Sequence, residues 1–355
     1  MDLSRQTVVK VSRPADILGM LPHRIGFTPT ESIVVICLHG PRRRDGLVMR
    51  LDLAPEECDA QVSADLTGRA VKAGATGAVL VCYTDVPASE SSTLPRRALI
   101  EAMLAELAGG GVAVVDAILV HGGRWWSYLC EDTSCCPPEG TVIDSDLTPS
   151  AAHYAAESVG QGAVVLADRQ ALERSIRPPD DRSEADRCRQ ALEEAADEVI
   201  DAVGDVGPAA LRTRTLALLR DVVARRAGGA EGASEQEAAR IILGLRAKDA
   251  RDEAATLVLE TDPHALIAVL SALARRAPDR DAAPVCTVLA WAAYAAGQGA
   301  LANVAVERAL ACEPGYELAR LIEQGLAAMI PPADVMRLTR EVRQALADAE
   351  PDGSA

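Results

Sequence analysis

Ala78-Val79-Leu80-Val81-Cys82-Tyr83 is an unbroken apolar run, rich in β-branched side chains, with Gly77 before it and Thr84-Asp85 after it. A half-exposed strand alternates apolar and polar residues. A run that is apolar at every position predicts a strand covered on both faces, as in an α/β sheet. Ile33–Leu38, Val112–Val120 and Ala163–Leu166 read the same way. Leu47, Met49, Leu51 and Leu53 instead alternate with Arg50 and Asp52, the pattern of a half-exposed strand. Between these runs, Glu56–Lys72 and Ser91–Leu107 read as helices, the second closed by Gly109-Gly110-Gly111, since glycine adopts the left-handed conformation that ends a helix. The expected fold of residues 1–176 is therefore α/β with a mixed sheet.

The order of elements suggests an internal repeat. Helix Ala15–Met20, strands Ser32–Leu38 and Leu47–Leu53, a helix and strand Ala78–Tyr83 make an α-β-β-α-β unit. A second such unit would run through the helix ending at Leu107, strands Val112–Val120 and Arg124–Cys130, helix Ser150–Ser158 and strand Ala163–Leu166.

Alanine divides the chain. It occupies 21 of the first 170 residues and 44 of the remaining 185. Because alanine is the best helix former, residues 183–349 are expected to be an all-α domain, with the boundary at Arg177-Pro178-Pro179-Asp180-Asp181 and a disordered tail at 350–355. Helices are expected near 183–203, 208–227, 234–247, 249–260, 264–276, 283–296, 299–312, 315–329 and 333–348. Ser234 with Glu237 forms a capping box, Asp262-Pro263 places a cap before a first-turn proline, and Pro331-Pro332 separates the last two helices. Trp291, Tyr294, Gly297, Ala302, Val306, Ala309, Leu310 and Pro314 carry a tetratricopeptide-like rhythm. An irregular helical bundle is the alternative.

The 355 residues suffice for two domains with sizeable cores. With 49% hydrophobic and 25% charged residues the chain is far from a disordered composition. A net charge of −16, from 36 basic and 52 acidic residues, argues against nonspecific nucleic-acid binding and against an anionic membrane surface. Residues 1–170 carry 14 basic and 21 acidic residues, the rest 22 and 31, so neither half is a basic module. Only Lys10, Lys72 and Lys248 are lysines, a bias that reads as genomic base composition. Met1–Lys10 holds no basic segment followed by an apolar core, and no apolar run approaches the ~18 residues a membrane span needs. A cytoplasmic location is expected. The odd set of nine cysteines, at 37, 58, 82, 130, 135, 136, 188, 286 and 312, does not fit a secreted disulfide framework, and most should be reduced core residues.

Three segments together resemble a known family: Arg13-Pro14-Ala15-Asp16-Ile17-Leu18 through Gly26-Phe27-Thr28-Pro29-Thr30-Glu31-Ser32-Ile33-Val34-Val35; Trp125-Trp126-Ser127-Tyr128-Leu129-Cys130 with Cys135-Cys136-Pro137-Pro138-Glu139-Gly140-Thr141; and Ala290-Trp291 to Pro314. The sequence resembles the actinobacterial domain-of-unknown-function family 4192 over nearly its whole length. The resemblance implies a cytoplasmic protein of a high-GC actinobacterium and assigns no reaction.

Chemistry concentrates in two places. Cys130, Cys135 and Cys136 put three thiols in a Pro-rich loop at a strand end, and with His121 across the hairpin they could bind zinc. Against this, adjacent cysteines rarely chelate one ion and no second Cys pair follows. A Cys130–Cys135 or Cys130–Cys136 disulfide and a purely structural loop are the alternatives. Thiol catalysis ranks below these, because Glu131, Asp132 and Glu139 would raise a thiol pKa and Arg124 is the only nearby cation in sequence. The second place is a strand-end rim. His39, Asp85, His121 and Asp168 each follow an expected strand, and if the strands run parallel the four share one edge, where α/β folds bind ligands. Two histidines and two carboxylates would suit acid–base chemistry or a divalent metal.

Other signals are weaker. No Walker or dinucleotide-binding glycine loop follows a strand, and neither a Gly-x-Ser-x-Gly elbow nor His-Glu-x-x-His occurs. Arg42-Arg43-Arg44 reads as a solvated turn and Phe27, the one phenylalanine, as a core anchor. Trp125 and Trp126 should face opposite sides of their strand, one buried and one exposed as a contact residue. The expected role is a non-enzymatic interaction or regulatory protein whose helical pairs expose a groove for a peptide or protein partner and whose α/β domain binds a partner or a small ligand, with a homo-oligomer as the other expected assembly. The alternative is a small-molecule enzyme or a metal or redox protein using the strand-end rim or the cysteine loop.

Overall fold

The computed structural model describes residues 13–40, 44–88, 93–143, 148–160 and 164–349. The chain forms two compact units, residues 1–160 and 161–355. The first contains α1 (Pro14–Ile25), β1 (Ser32–His39), β2 (Arg44–Asp52), α2 (Asp59–Lys72), β3 (Gly77–Tyr83), α3 (Arg97–Gly109), β4 (Ala113–His121), β5 (Arg124–Ser127), β6 (Thr141–Val142) and α4 (Pro149–Gly160).

The sheet is mixed, in the order β2-β1-β3-β4-β5-β6, and only β3 and β4 run parallel. All seven residues of β3 are buried, as its uninterrupted apolar sequence requires. Val79, Val81 and Tyr83 pack with Val34, Ile118 and, from α1, Leu18 and Leu21. Leu80 and Cys82 point to the other face, where α2 and α3 pack on each other, and both are fully buried. Phe27 is buried as expected, with the Arg50 guanidinium 5.5 Å above its ring. Arg50 also donates to Ser32 Oγ at 2.8 Å, so the half-exposed strand β2 uses its polar side to tie down the entry to β1.

The duplication is corrected by the topology. The first five elements follow the expected α-β-β-α-β order, but the second set continues β4-β5-β6-α4. Among the described residues Val164–Leu166 form no strand, Leu166 being at most an isolated bridge position. Residues 161–163, the tail 350–355 and Arg42 and Arg43 of the arginine triplet lie outside the described residues, and Arg44 opens β2.

The second unit holds α5 (Arg169–Ser175), α6 (Arg182–Ala227), α7 (Glu235–Gly244), α8 (Lys248–Thr256), α9 (Pro263–Arg276), α10 (Asp279–Ala295), α11 (Gly299–Cys312), α12 (Glu317–Ala327) and α13 (Pro332–Ala349). Its start at 161 lies ahead of the Pro178-Pro179 pair expected to end the α/β domain at residue 176, because α5 packs on α11. Within α6 the two helices expected at 183–203 and 208–227 are both present, separated by a break at Gly207, whose φ of +80° is not helical, just ahead of Pro208. The Ser234/Glu237 capping box and the Asp262 cap form as read. α10 is the central helix: 14 of its 17 residues are buried, and α7, α8, α9, α11, α12 and α13 all pack against it. Alanines at 282, 283, 290, 292 and 293 let those neighbours approach closely. Trp291 donates to Thr339 Oγ1 at 3.0 Å, and Tyr294 Oη donates to the carbonyls of Gly325 and Ile330. α10 and α11 form the helical pair that the Trp291–Pro314 rhythm predicts, turning at Gly297 with φ +78°. One such pair is no tetratricopeptide array.

The core of this unit encloses a charge. Arg308 is 4% exposed, and its guanidinium donates to the carbonyls of Ile176, Ala274 (2.6 Å) and Ala277 (2.7 Å). These carbonyls lie at the C-terminal ends of α5 and α9, where Ala274 O also accepts from Ala277 N at 3.1 Å, so one buried cation serves two helix termini and complements their dipoles.

Candidate functional site

Within the α/β unit the expected strand-end residues do not all converge. β1 is antiparallel to β3, pairing Leu38 with Gly77 and Ser32 with Tyr83. At about 3.3 Å per residue, His39 therefore lies roughly 20 Å from the end of β3 that bears Asp85. Its Nδ1 donates to Gly74 O (3.1 Å) and its ring lies over Gly46, where a Cβ would collide with it. Asp168 belongs to the second unit and caps α5, accepting from Ala171 N at 2.6 Å. Both residues hold local structure; Asp168 follows no strand among the described residues, and within the α/β unit the expected rim reduces to a pair.

That pair, Asp85 and His121, does share a rim. The parallel register places Tyr83 beside Val120, so both chains emerge at the same edge. Thr84 N donates to Val120 O (3.2 Å), and His121 Nδ1 contacts Thr84 O at 3.0 Å. A carbonyl only accepts, so Nδ1 carries the proton and Nε2 is left as the acceptor of the neutral ring. The antiparallel β1 starts at this same edge and delivers Glu31, a residue sequence reasoning missed. Glu31 has φ +38°, a left-handed backbone that is strained for a side chain with a Cβ. Its carboxylate accepts from Asp85 N, and its carbonyl accepts from Leu53 N at 2.8 Å.

These segments enclose a cleft of about 390 Å³. Glu31, Asp85, His121 and the threonines Thr28, Thr30 and Thr84 supply its polar lining; Leu18, Pro22, Val120 and Ile143 supply the apolar part. Among the described residues no lysine or arginine lines it. The arrangement accepts hydrogen bonds and favours positive charge. It would repel a phosphate or carboxylate.

The cysteine loop is the second feature. β5 ends at Ser127, short of the expected Cys130, and the chain turns away there. Ser127 Oγ donates to Asp116 Oδ1 (3.1 Å) and accepts from Cys130 N (3.2 Å), which fixes where the loop begins. Asp132 folds its middle: its carbonyl accepts from Cys135 N (3.1 Å) and Cys136 N (2.7 Å), and its carboxylate accepts from Ser134 N (2.9 Å). At the far end Trp126 Nε1 donates to Pro138 O (2.9 Å) and Arg124 donates to Gly140 O (2.9 Å). Gly140 has φ +75°, and a Cβ there would collide with the Trp126 ring, lying 2.5 Å from Cζ2. The tryptophans do face opposite ways, but neither is an exposed contact residue: Trp125 packs on the α1 core and Trp126 covers its own loop.

The result is a cluster of three thiols. The sulfurs of Cys130, Cys135 and Cys136 all lie within 4.8 Å of one another, with Cys135 exposed and the others half-buried. The hydrogen bond from the Cys136 thiol holds Cys130 below the usual thiol range, whereas burial, with that same bond, pushes Cys136 up to about 12. His121, weighed as a fourth ligand, is not among these converging groups, and its ring centroid sits 6.5 Å from that of Trp126. The other cysteines are remote in role: Cys37, Cys82, Cys188 and Cys286 are buried core residues.

Fold and site define a two-unit protein, α/β with a strand-end acceptor cleft and a tri-thiol loop, followed by an all-α unit. It belongs to the family described as Domain of unknown function (DUF4192), whose sequence model matches residues 14–333. No curated protein and no solved structure matches the chain. No helix among the described residues is long and apolar enough to cross a membrane.

Proposed function

We propose that the protein is a non-enzymatic binding protein of regulatory type whose α/β unit takes a small, amine- or hydroxyl-bearing molecule in the strand-end cleft. The observation that carries this reading is the cleft at the carboxyl ends of the parallel pair β3/β4, with Glu31, Asp85 and His121 on its wall. Its volume of about 390 Å³ falls within the usual range of small-molecule sites, and the edge is where open α/β sheets bind ligands. Glu31 and His121 are each anchored through a backbone group, so they face a ligand as fixed acceptors.

A protein partner on the helical unit has less support. A depression there, about 600 Å³, mixes Ala230, Ala233, Ala268, Val269 and Ala272 with Arg225, Arg226, Glu231, Glu237 and Arg276, so its apolar lining consists mostly of small side chains interrupted by charge. Large exposed hydrophobics in that unit, Val164, Leu321 and Val342, stand singly along the chain.

Ligand-observed NMR against a mixed set of small amines, polyols and anions tests the proposal. Binders are expected among the amines and polyols, and they should weaken at least about tenfold in Asp85→Asn, a loss worth about 1.4 kcal/mol. Preferential binding of anions, or hits indifferent to both Asp85→Asn and His121→Gln, would overturn it.

A further inference from the structure

The cysteine loop is unused by the cleft, and its geometry is specific. A tetrahedral zinc ion with Zn–S bonds near 2.3 Å separates its thiolates by roughly 3.8 Å. Cys135 and Cys136, adjacent in sequence and so poor partners for each other in most loops, hold their sulfurs 3.8 Å apart, and Cys130 falls within 4.8 Å of both. A disulfide would need about 2.05 Å. The thiols therefore stand at the spacing of ligands around an ion.

The surroundings also suit a metal. Ser127 holds one arm of the loop, Asp132 the turn, and Trp126 and Arg124 the return, so little ordering remains for an ion to impose. Glu131, Asp132 and Glu139 supply negative charge around the loop. That charge works against a catalytic thiolate but attracts a cation. Three sulfur ligands select a thiophilic ion over magnesium or calcium, and among the described residues no carboxylate or imidazole joins the converging set.

We propose that Cys130, Cys135 and Cys136 bind one zinc ion through three thiolates, with the fourth position filled by water. Three protein ligands and one exchangeable position are the pattern of reactive zinc, not of a closed structural site. The exposed Cys135 places that position toward solvent, where a soft donor from another molecule can replace the water. Each thiol loses its proton on binding, so uptake of zinc releases protons.

The experiment is zinc and cobalt titration of the full-length protein, reduced and freed of metal, with competition against a chromophoric chelator. One equivalent of zinc is expected. Cobalt should give a thiolate-to-metal charge-transfer band that falls by about a third in Cys135→Ser, and zinc affinity in that variant should drop at least about 100-fold. Cys58→Ser, in the same unit but outside the cluster, should bind as the parent does, and Cys135 is exposed, so its loss leaves the fold intact as checked by circular dichroism. If the reduced protein takes up no zinc, or Cys135→Ser and Cys136→Ser both bind as tightly as the parent, the site does not exist. Stoichiometric copper(I) uptake without zinc uptake would overturn the assignment of the ion.

Discussion

Gly140→Ala, compared with Gly123→Ala, tests how the cysteine loop is held. Both glycines have φ +75°, so each substitution forces an L side chain into the left-handed region, at roughly 1–2 kcal/mol. They differ in what the new methyl group meets. At Gly123, in the β4–β5 hairpin, nothing lies within 4 Å; at Gly140 the methyl would sit 2.5 Å from Trp126 Cζ2 and 2.8 Å from Nε1. Trp126 must then retreat by about 1 Å to reach van der Waals distance, which breaks its 2.9 Å bond to Pro138 O. Overpacking of this kind costs roughly 1–3 kcal/mol. Gly140→Ala should therefore lose about 3 kcal/mol, Gly123→Ala about half of that, and only the former should shift tryptophan fluorescence in the folded state. Urea unfolding followed by fluorescence reads both quantities. Equal losses in the two variants, or an unchanged emission spectrum in Gly140→Ala, would refute the claim that Trp126 clamps the loop.

Arg308→Met should destabilise the helical unit by on the order of 4 kcal/mol or more, since three buried carbonyls lose a charged donor; a loss under about 1 kcal/mol in chemical denaturation would contradict the role assigned to it. Gly244→Ala should cost about 1–3 kcal/mol, because its Cβ would lie 2.6 Å from Thr215 Cγ2, and Thr215→Ala should relieve much of that cost in a double-mutant cycle. The Ser234 amide hydrogen bond, with Arg225 nearby, lowers the Glu237 pKa, so its contribution is complete above the ordinary carboxylate pKa and is lost as pH falls through the folded value. Glu237→Gln should therefore be less stable than the parent at pH 7 and converge with it in acid, as measured by urea denaturation at several pH values.

The Ala78–Tyr83 run could be read because a strand buried on both faces leaves no room for polar residues, and the alanine count marked the helical half for the same direct reason. Strand direction was not readable. An apolar run is the same pattern whichever way it points, so placing His39 on the rim assumed a parallel β1, and the same assumption hid Glu31, which reaches that rim because β1 begins there. The thiols were close by spacing alone, yet their convergence depends on one turn made by Asp132 and on Gly140 fitting under Trp126. Helix α5 escaped notice because Pro178-Pro179 is the stronger punctuation, whereas the packing of α5 on α11 and the Arg308 bond to Ile176 are contacts between residues more than a hundred positions apart.

The antiparallel placement of β1 also couples the cleft to folding. Its wall comes from residues 18 and 22 of α1 and from residues 28–31, 83–85, 120–123 and 143, and the latter meet only when β1, β3 and β4 are all zipped in register. No fragment of the α/β unit lacking any of these strands retains the cleft. Occupancy is then a wager on the complete sheet. If the cleft binds a ligand as proposed, that ligand at a hundred times its dissociation constant would add about 2.7 kcal/mol to the unit's stability, so the protein's lifetime in the cell would follow its supply.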